Sequence, residues 1–126
     1  MATSASVRIS ENKKTLVNLY VHSDGYAYGL GRKLATILSD GKMVNGIRFD
    51  PSGMPKLGSQ FNGGGCLAAS IIAMLKKEPG EVYISFGKDD CDHHYDIVIK
   101  KRSISIILDG KMFYESKISS EQSIIS

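Results

Sequence analysis

FNGGGCLAASIIAMLKKEPG, residues 61–80, holds the decision about the fold. From Cys66 to Leu75 the only polar side chain is Ser70, so the segment predicts a helix that is apolar nearly all round and buried on more than one side. Such a helix needs a sheet beneath it and more of the chain around it. Lys76 and Lys77 complement the negative end of its dipole, and Pro79 with Gly80 ends it.

Upstream, residues 14–22 alternate Val17, Leu19 and Val21 with Leu16, Asn18, Tyr20 and His22, the period of a strand. The turn DGYAYGLG, residues 24–31, follows it, and then Leu30, Leu34, Ile37 and Leu38 recur at helical spacing until Asp40 and Gly41. Residues 43–49 read as a further strand, and residues 50–60, with Pro51 and Pro55, as a surface loop. Downstream, Val82, Ile84 and Phe86, then residues 97–99, 104–108 and 112–114 read as strands, with a turn at Asp109 and Gly110. Short connections between such runs favour an antiparallel meander. The expected fold is α+β: an antiparallel sheet meander with two α-helices, one of them buried. Residues 1–126 read as a single domain whose ends, near 1–12 and 118–126, are loosely held.

The composition, 42% apolar and 23% charged in 126 residues, is that of an ordinary globular chain. No stretch has the apolar length to span a bilayer, and MATSASVRISENKK lacks the core of a secretory signal. A cytoplasmic protein with two free thiols, Cys66 and Cys91, is expected. The charge of +3 is spread along the chain without a basic block, so neither duplex nucleic acid nor membrane is an expected partner. A local anion site remains compatible with it.

The strongest functional signal is the pair of glycine turns at helix starts. Unpaired N–H groups and the positive dipole end make a helix N-terminus an anion site, and glycine lets a phosphate approach the backbone. Asn62, Gly63, Gly64 and Gly65 fit that description. So do Asp24, Gly29 and Gly31, with Arg32 in the first helical turn as counter-charge and Tyr26 and Tyr28 available to stack on a base. Neither turn has the spacing of a Walker loop or a dinucleotide fingerprint. Each alone is compatible with tight turns and close packing only, and Asp24 alone with a helix cap. Together they predict a bound phosphate-bearing, nucleotide-like ligand, with no cofactor and no catalytic residue.

A rival reading takes Cys66 at the mouth of its helix as a nucleophile and His93 or His94 as its base. The order cysteine on helix, histidine on strand resembles small papain-like peptidases of the NlpC/P60 type. It departs from them in the residues after Cys66, in the acids around the histidines, and in lacking a clear third member beyond Ser103 and Ser105. The run KDDCDHHYD, residues 88–96, reads as a solvated hairpin tip rather than a metal site, because His93 and His94, adjacent on a strand, point to opposite faces.

At VNLYVHSDGYAYGLGRKLATIL, MVNGI and NGGGCLAASIIAMLKK the chain resembles a group of small phage and prophage proteins with a DGY-x-x-G-x-G turn and an NG-x-GCLAA helix start. Small oligomeric phage proteins of this kind include the anti-Thoeris and anti-CBASS sponges, which sequester cyclic nucleotide or cyclic ADP-ribose signals without cleaving them. The resemblance to the sponges is one of size and setting, so none of their binding residues is carried over. It implies a non-catalytic anti-defence protein of the host cytoplasm. A purely structural phage protein that binds only protein is the third reading. A domain this small has little room for a deep pocket of its own, so a homo-oligomer with its ligand near a subunit interface is expected.

Overall fold

A computed structural model describes residues 2–87 and 90–117. The strands are β1 (Ala5–Glu11), β2 (Lys14–Val21), β3 (Lys42–Met43), β4 (Gln60–Phe61), β5 (Val82–Ser85), β6 (His93–Ile99), β7 (Ser103–Leu108) and β8 (Lys111–Lys117). The helices are α1 (Arg32–Asp40), entered through a π-helical turn at Ala27–Gly31, and α2 (Gly64–Leu75). The fold is α+β. Six strands form one sheet in the order β5-β2-β1-β6-β7-β8, and β3 with β4 forms a small parallel pair.

The sheet is mixed rather than a meander throughout, because β1 runs parallel to β6 at its centre. Within the stretch 1–12, expected to be loosely held, residues 5–11 are not a loose end: β1 is hydrogen-bonded on both sides, and Ala5, Val7 and Ile9 are completely buried. Their alternation with Ser6, Arg8 and Ser10 is a strand pattern, masked in the sequence by the small polar residues between them. Residues 118–126 lie outside the described residues. Residues 43–49 do not form a strand beyond Met43. Side chains take over there instead: Gln60 exchanges two hydrogen bonds with the Arg48 backbone, at 2.8 and 2.7 Å, and the Asn62 Oδ1 accepts from the Gly46 N–H at 2.9 Å.

Period-two alternation gives the sheet one apolar face. Val7, Ile9, Leu19, Ile97 and Ile106 join Leu34 of α1 and Leu67 and Ile71 of α2 in a single core. α2 is less enclosed than its composition predicts, with Ala69 and Ala73 exposed and Met74 only half-buried. The opposite face of the sheet carries Ser6, Arg8, Asn18, Tyr20, His94 and Asp96, and no helix among the described residues covers it. No helix among the described residues is long and apolar enough to cross a membrane.

Tyr95 fastens the first glycine turn to the sheet. Its buried hydroxyl donates to the Gly25 carbonyl at 2.7 Å, and a Cβ on Gly31 would come within 3.1 Å of that oxygen. Burial, above all, pushes the phenol up to about 12; the Gly31 N–H opposes the shift and the Asp109 charge adds to it. Since the folded pKa lies above the unfolded one, this contribution to stability is intact below pH about 10 and is lost as pH rises towards about 12. Tyr95→Phe, which strands the Gly25 carbonyl, is expected to cost about 1–3 kcal/mol at neutral pH and to flatten the alkaline loss. Urea unfolding of both proteins at pH 7 and 11 checks this; parallel losses in both would contradict the assignment.

Candidate functional site

The two glycine turns lie at opposite ends of the helical layer. A Cβ on Gly25 would meet the Ala5 side chain, at the start of β1, whereas one on Gly64 would meet the Glu11 carboxylate, at its end. Those β1 positions are about 20 Å apart at the rise of a strand. The turns form two places, not one.

The second turn starts α2 as expected. Gly63, at φ 91°, takes the backbone shape that glycine permits, and the first helical bond runs from the Leu67 N–H to the Gly63 carbonyl at 3.0 Å. The N–H groups of Gly64, Gly65 and Cys66 therefore lack intrahelical acceptors. The Glu11 carboxylate lies against Gly64, so an acid of the chain's own already stands beside this helix start. Asn62 is committed to the loop through Gly46. Here the glycines allow close approach of the chain's own acid.

The first turn is built differently. The Leu30 N–H bonds the Asp24 carbonyl at 2.8 Å, and the Gly29 and Gly31 N–H groups bond the Tyr26 carbonyl at 3.0 and 3.4 Å. These amides are consumed inside the turn, so they are not the phosphate donors that the sequence suggested. What the turn makes is the wall of a cleft of about 330 Å³. Ser23, Asp24, Tyr26, Gly29 and Lys33 line one side, Lys77, Glu78 and Glu81 the other, and Val21, Leu30, Leu75 and Val82 also border it. Asp24 and Glu81 hold φ of 59° and 70°, and such strain clusters where a site needs a fixed shape. Ser23 donates to both Glu81 oxygens, at 2.5 and 2.7 Å, which fixes that carboxylate. The Asp24 side chain caps no helix and is exposed.

Of the other expected residues, Tyr28 and Arg32 face an adjoining apolar groove with Thr36, Ile37 and Met74, and the Arg32 guanidinium lies 5.3 Å from the Tyr28 ring centre. Gly29 and Lys33 border both depressions. Gly31 is buried beneath Phe113 and Tyr95. Lys33, Lys77, Glu78 and Glu81 are not among the expected ligand residues; Lys33 follows the first turn directly, and Lys77, Glu78 and Glu81 join it only because the fold brings the end of α2 and the start of β5 to that turn.

The cysteine-hydrolase arrangement is not assembled. Cys66 follows Gly64 and Gly65, near Glu11, while His93 and His94 pair with Ala5 and Ser6 at the far end of β1. His93 is instead engaged by Asp109 at 2.7 Å, and His94 by the Ser6 hydroxyl at 2.6 Å on the other face. Burial alone would raise the Asp109 carboxyl, but the His93 ring and the His94 N–H outweigh it and hold the group below its usual value. Among the described residues neither Cys66 nor Cys91 forms a disulfide. In the 88–96 run, Lys88 and Asp89 lie outside the described residues, and no group of metal-ligating side chains occurs among the described ones. Comparison with protein-family models, with curated proteins and with solved structures found no match.

Proposed function

We propose that the protein binds a nucleotide-like small molecule in the cleft beside the first glycine turn and holds it without chemical change. The observation that carries this reading is the composition of the cleft wall: two lysines, three carboxylates and Tyr26 around a volume in the range of small-ligand sites. Lys33 and Lys77 would take the phosphate, Asp24 and Glu78 the sugar hydroxyls, and Tyr26 a base. Two cations among three acids suit one or two phosphodiester charges better than a polyphosphate chain. That is the charge of a cyclic nucleotide or of cyclic ADP-ribose. The separation of Cys66 from both histidines supports binding over hydrolysis. The setting that goes with it is a phage anti-defence sponge in the host cytoplasm, working as a homo-oligomer with the exposed side of α2 towards a neighbouring chain.

Native mass spectrometry with cyclic AMP, cyclic di-GMP and cyclic ADP-ribose reports assembly and bound mass together. At least one ligand is expected to be retained with unaltered mass, and Lys33→Glu with Lys77→Glu should weaken it about ten-fold or more. A ligand of altered mass would contradict the sponge. The protein-binding reading draws on the loop between β3 and β4, where Phe49, Met54 and Leu57 are 64%, 72% and 57% exposed. It would gain if all three ligands were ignored.

A further inference from the structure

The cations that look scattered in the sequence are gathered by the fold. Glu11 at the end of β1 pairs with Ile99 at the end of β6, and the Asn12 N–H bonds the Ile99 carbonyl at 3.3 Å. The β1–β2 turn, with Lys13 and Lys14, therefore lies beside the β6–β7 turn, with Lys100, Lys101 and Arg102. On the uncovered face of the sheet this end holds a second cleft of about 460 Å³, bordered by Arg8, Ser10, Asn12, Lys13, Thr15 and Lys100.

Among the described residues no carboxylate borders that cleft. Glu11 sits on the other face of β1, against Gly64, and Asp96 is engaged by the Arg8 Nε at 2.8 Å. That bond leaves the terminal nitrogens of Arg8 for another acceptor. Among the described residues the ammonium groups of Lys13 and Lys100 have no hydrogen bond or ion pair. Three cations flanked by two hydroxyls and an amide match an acceptor-rich group of high negative charge. Among the described residues no aromatic ring borders the cleft to offer a platform for a base.

We propose that this cleft binds an oligophosphate group through Arg8, Lys13 and Lys100. The site is separate from the glycine-turn cleft, which lies on the helical side of the sheet and mixes acids with its lysines. Its ligand is recognised by its phosphates alone, whether it is a soluble oligophosphate or a polyphosphorylated lipid headgroup.

Isothermal titration of the full chain with inorganic tripolyphosphate tests this. Saturable binding at low salt is expected, weakening steeply as sodium chloride is raised. Lys13→Ala with Lys100→Ala, both surface changes, should weaken it at least about ten-fold, while Lys33→Glu with Lys77→Glu leaves it within about two-fold. No binding at low salt, no loss in the Lys13/Lys100 variant, or a loss confined to the Lys33/Lys77 variant would overturn the proposal. Co-sedimentation with phosphatidylcholine vesicles carrying a bisphosphorylated inositol lipid separates the sources. Pelleting that is lost in the Lys13/Lys100 variant assigns the phosphates to a headgroup, and tripolyphosphate binding without pelleting assigns them to a soluble ligand.

Discussion

Gly29→Ala is expected to lower the unfolding free energy by about 1–3 kcal/mol and to remove ligand binding in the glycine-turn cleft. The objection to a side chain at Gly29 is space, since its φ is not in the left-handed region. A Cβ there would overlap the Asp24 carbonyl oxygen, which is backbone and already accepts the Leu30 N–H at 2.8 Å. Relief requires the π-helical turn to open, and that moves Asp24 and Tyr26, both on the cleft wall. Gly65→Ala makes the comparison sharp. A Cβ on Gly65 meets nothing within 4 Å and sits in a helix, so stability should hold or rise by about 0.4–1 kcal/mol. Urea midpoints of the two variants give the answer, and a Gly29 variant as stable as the wild type would remove the steric account of the turn.

Phe61→Ala should be more damaging, at about 3–5 kcal/mol. The ring is 1% exposed and joins the core between the C-terminal end of α1 and the start of α2. Gly41 is small for the same reason, because a Cβ there would overlap the Phe61 ring. The Phe61 carbonyl also accepts the Val44 N–H at 2.8 Å, so the ring locks the strand that ties the long loop to the core. The cavity is expected to lower the denaturant midpoint with the slope unchanged, and to speed amide exchange at Val44 and Gly46 before the central sheet. An unfolding free energy within about 0.5 kcal/mol of wild type, as for a surface substitution, would contradict this placement of Phe61.

The elements with strong periodicity were legible in the sequence. α2 lies two residues earlier than Cys66 at one end, and β2 follows the alternation of Val17, Leu19 and Val21. β1 escaped because ASVRISE is short and its alternate residues are serines and an arginine, which lower its apparent hydrophobicity. Its parallel partner lies 88 positions away, as the Ser6–His94 bond shows, and no local pattern encodes such a pairing. The same limit governs the sites. The first glycine turn was visible as a turn, but the consumption of its amides was not, because Asp24 and Tyr26 supply the acceptors through backbone carbonyls that any residue carries. Lys77 and Glu81 reach the cleft only through the packing of α2 and β5. Lys13 and Lys100 border one cleft although the charge looked spread, since charge spread along a chain is not charge spread over a surface.

The most direct test of the central claim is backbone amide chemical-shift mapping as cyclic ADP-ribose or a cyclic dinucleotide is added. The account predicts saturable shifts at Asp24, Gly29, Lys33 and Lys77, on the wall of the first cleft, and quiet signals at Gly63, Gly64 and Gly65. Largest shifts at Asn62 to Gly65, with the first cleft unmoved, would place the ligand at the start of α2 and contradict it.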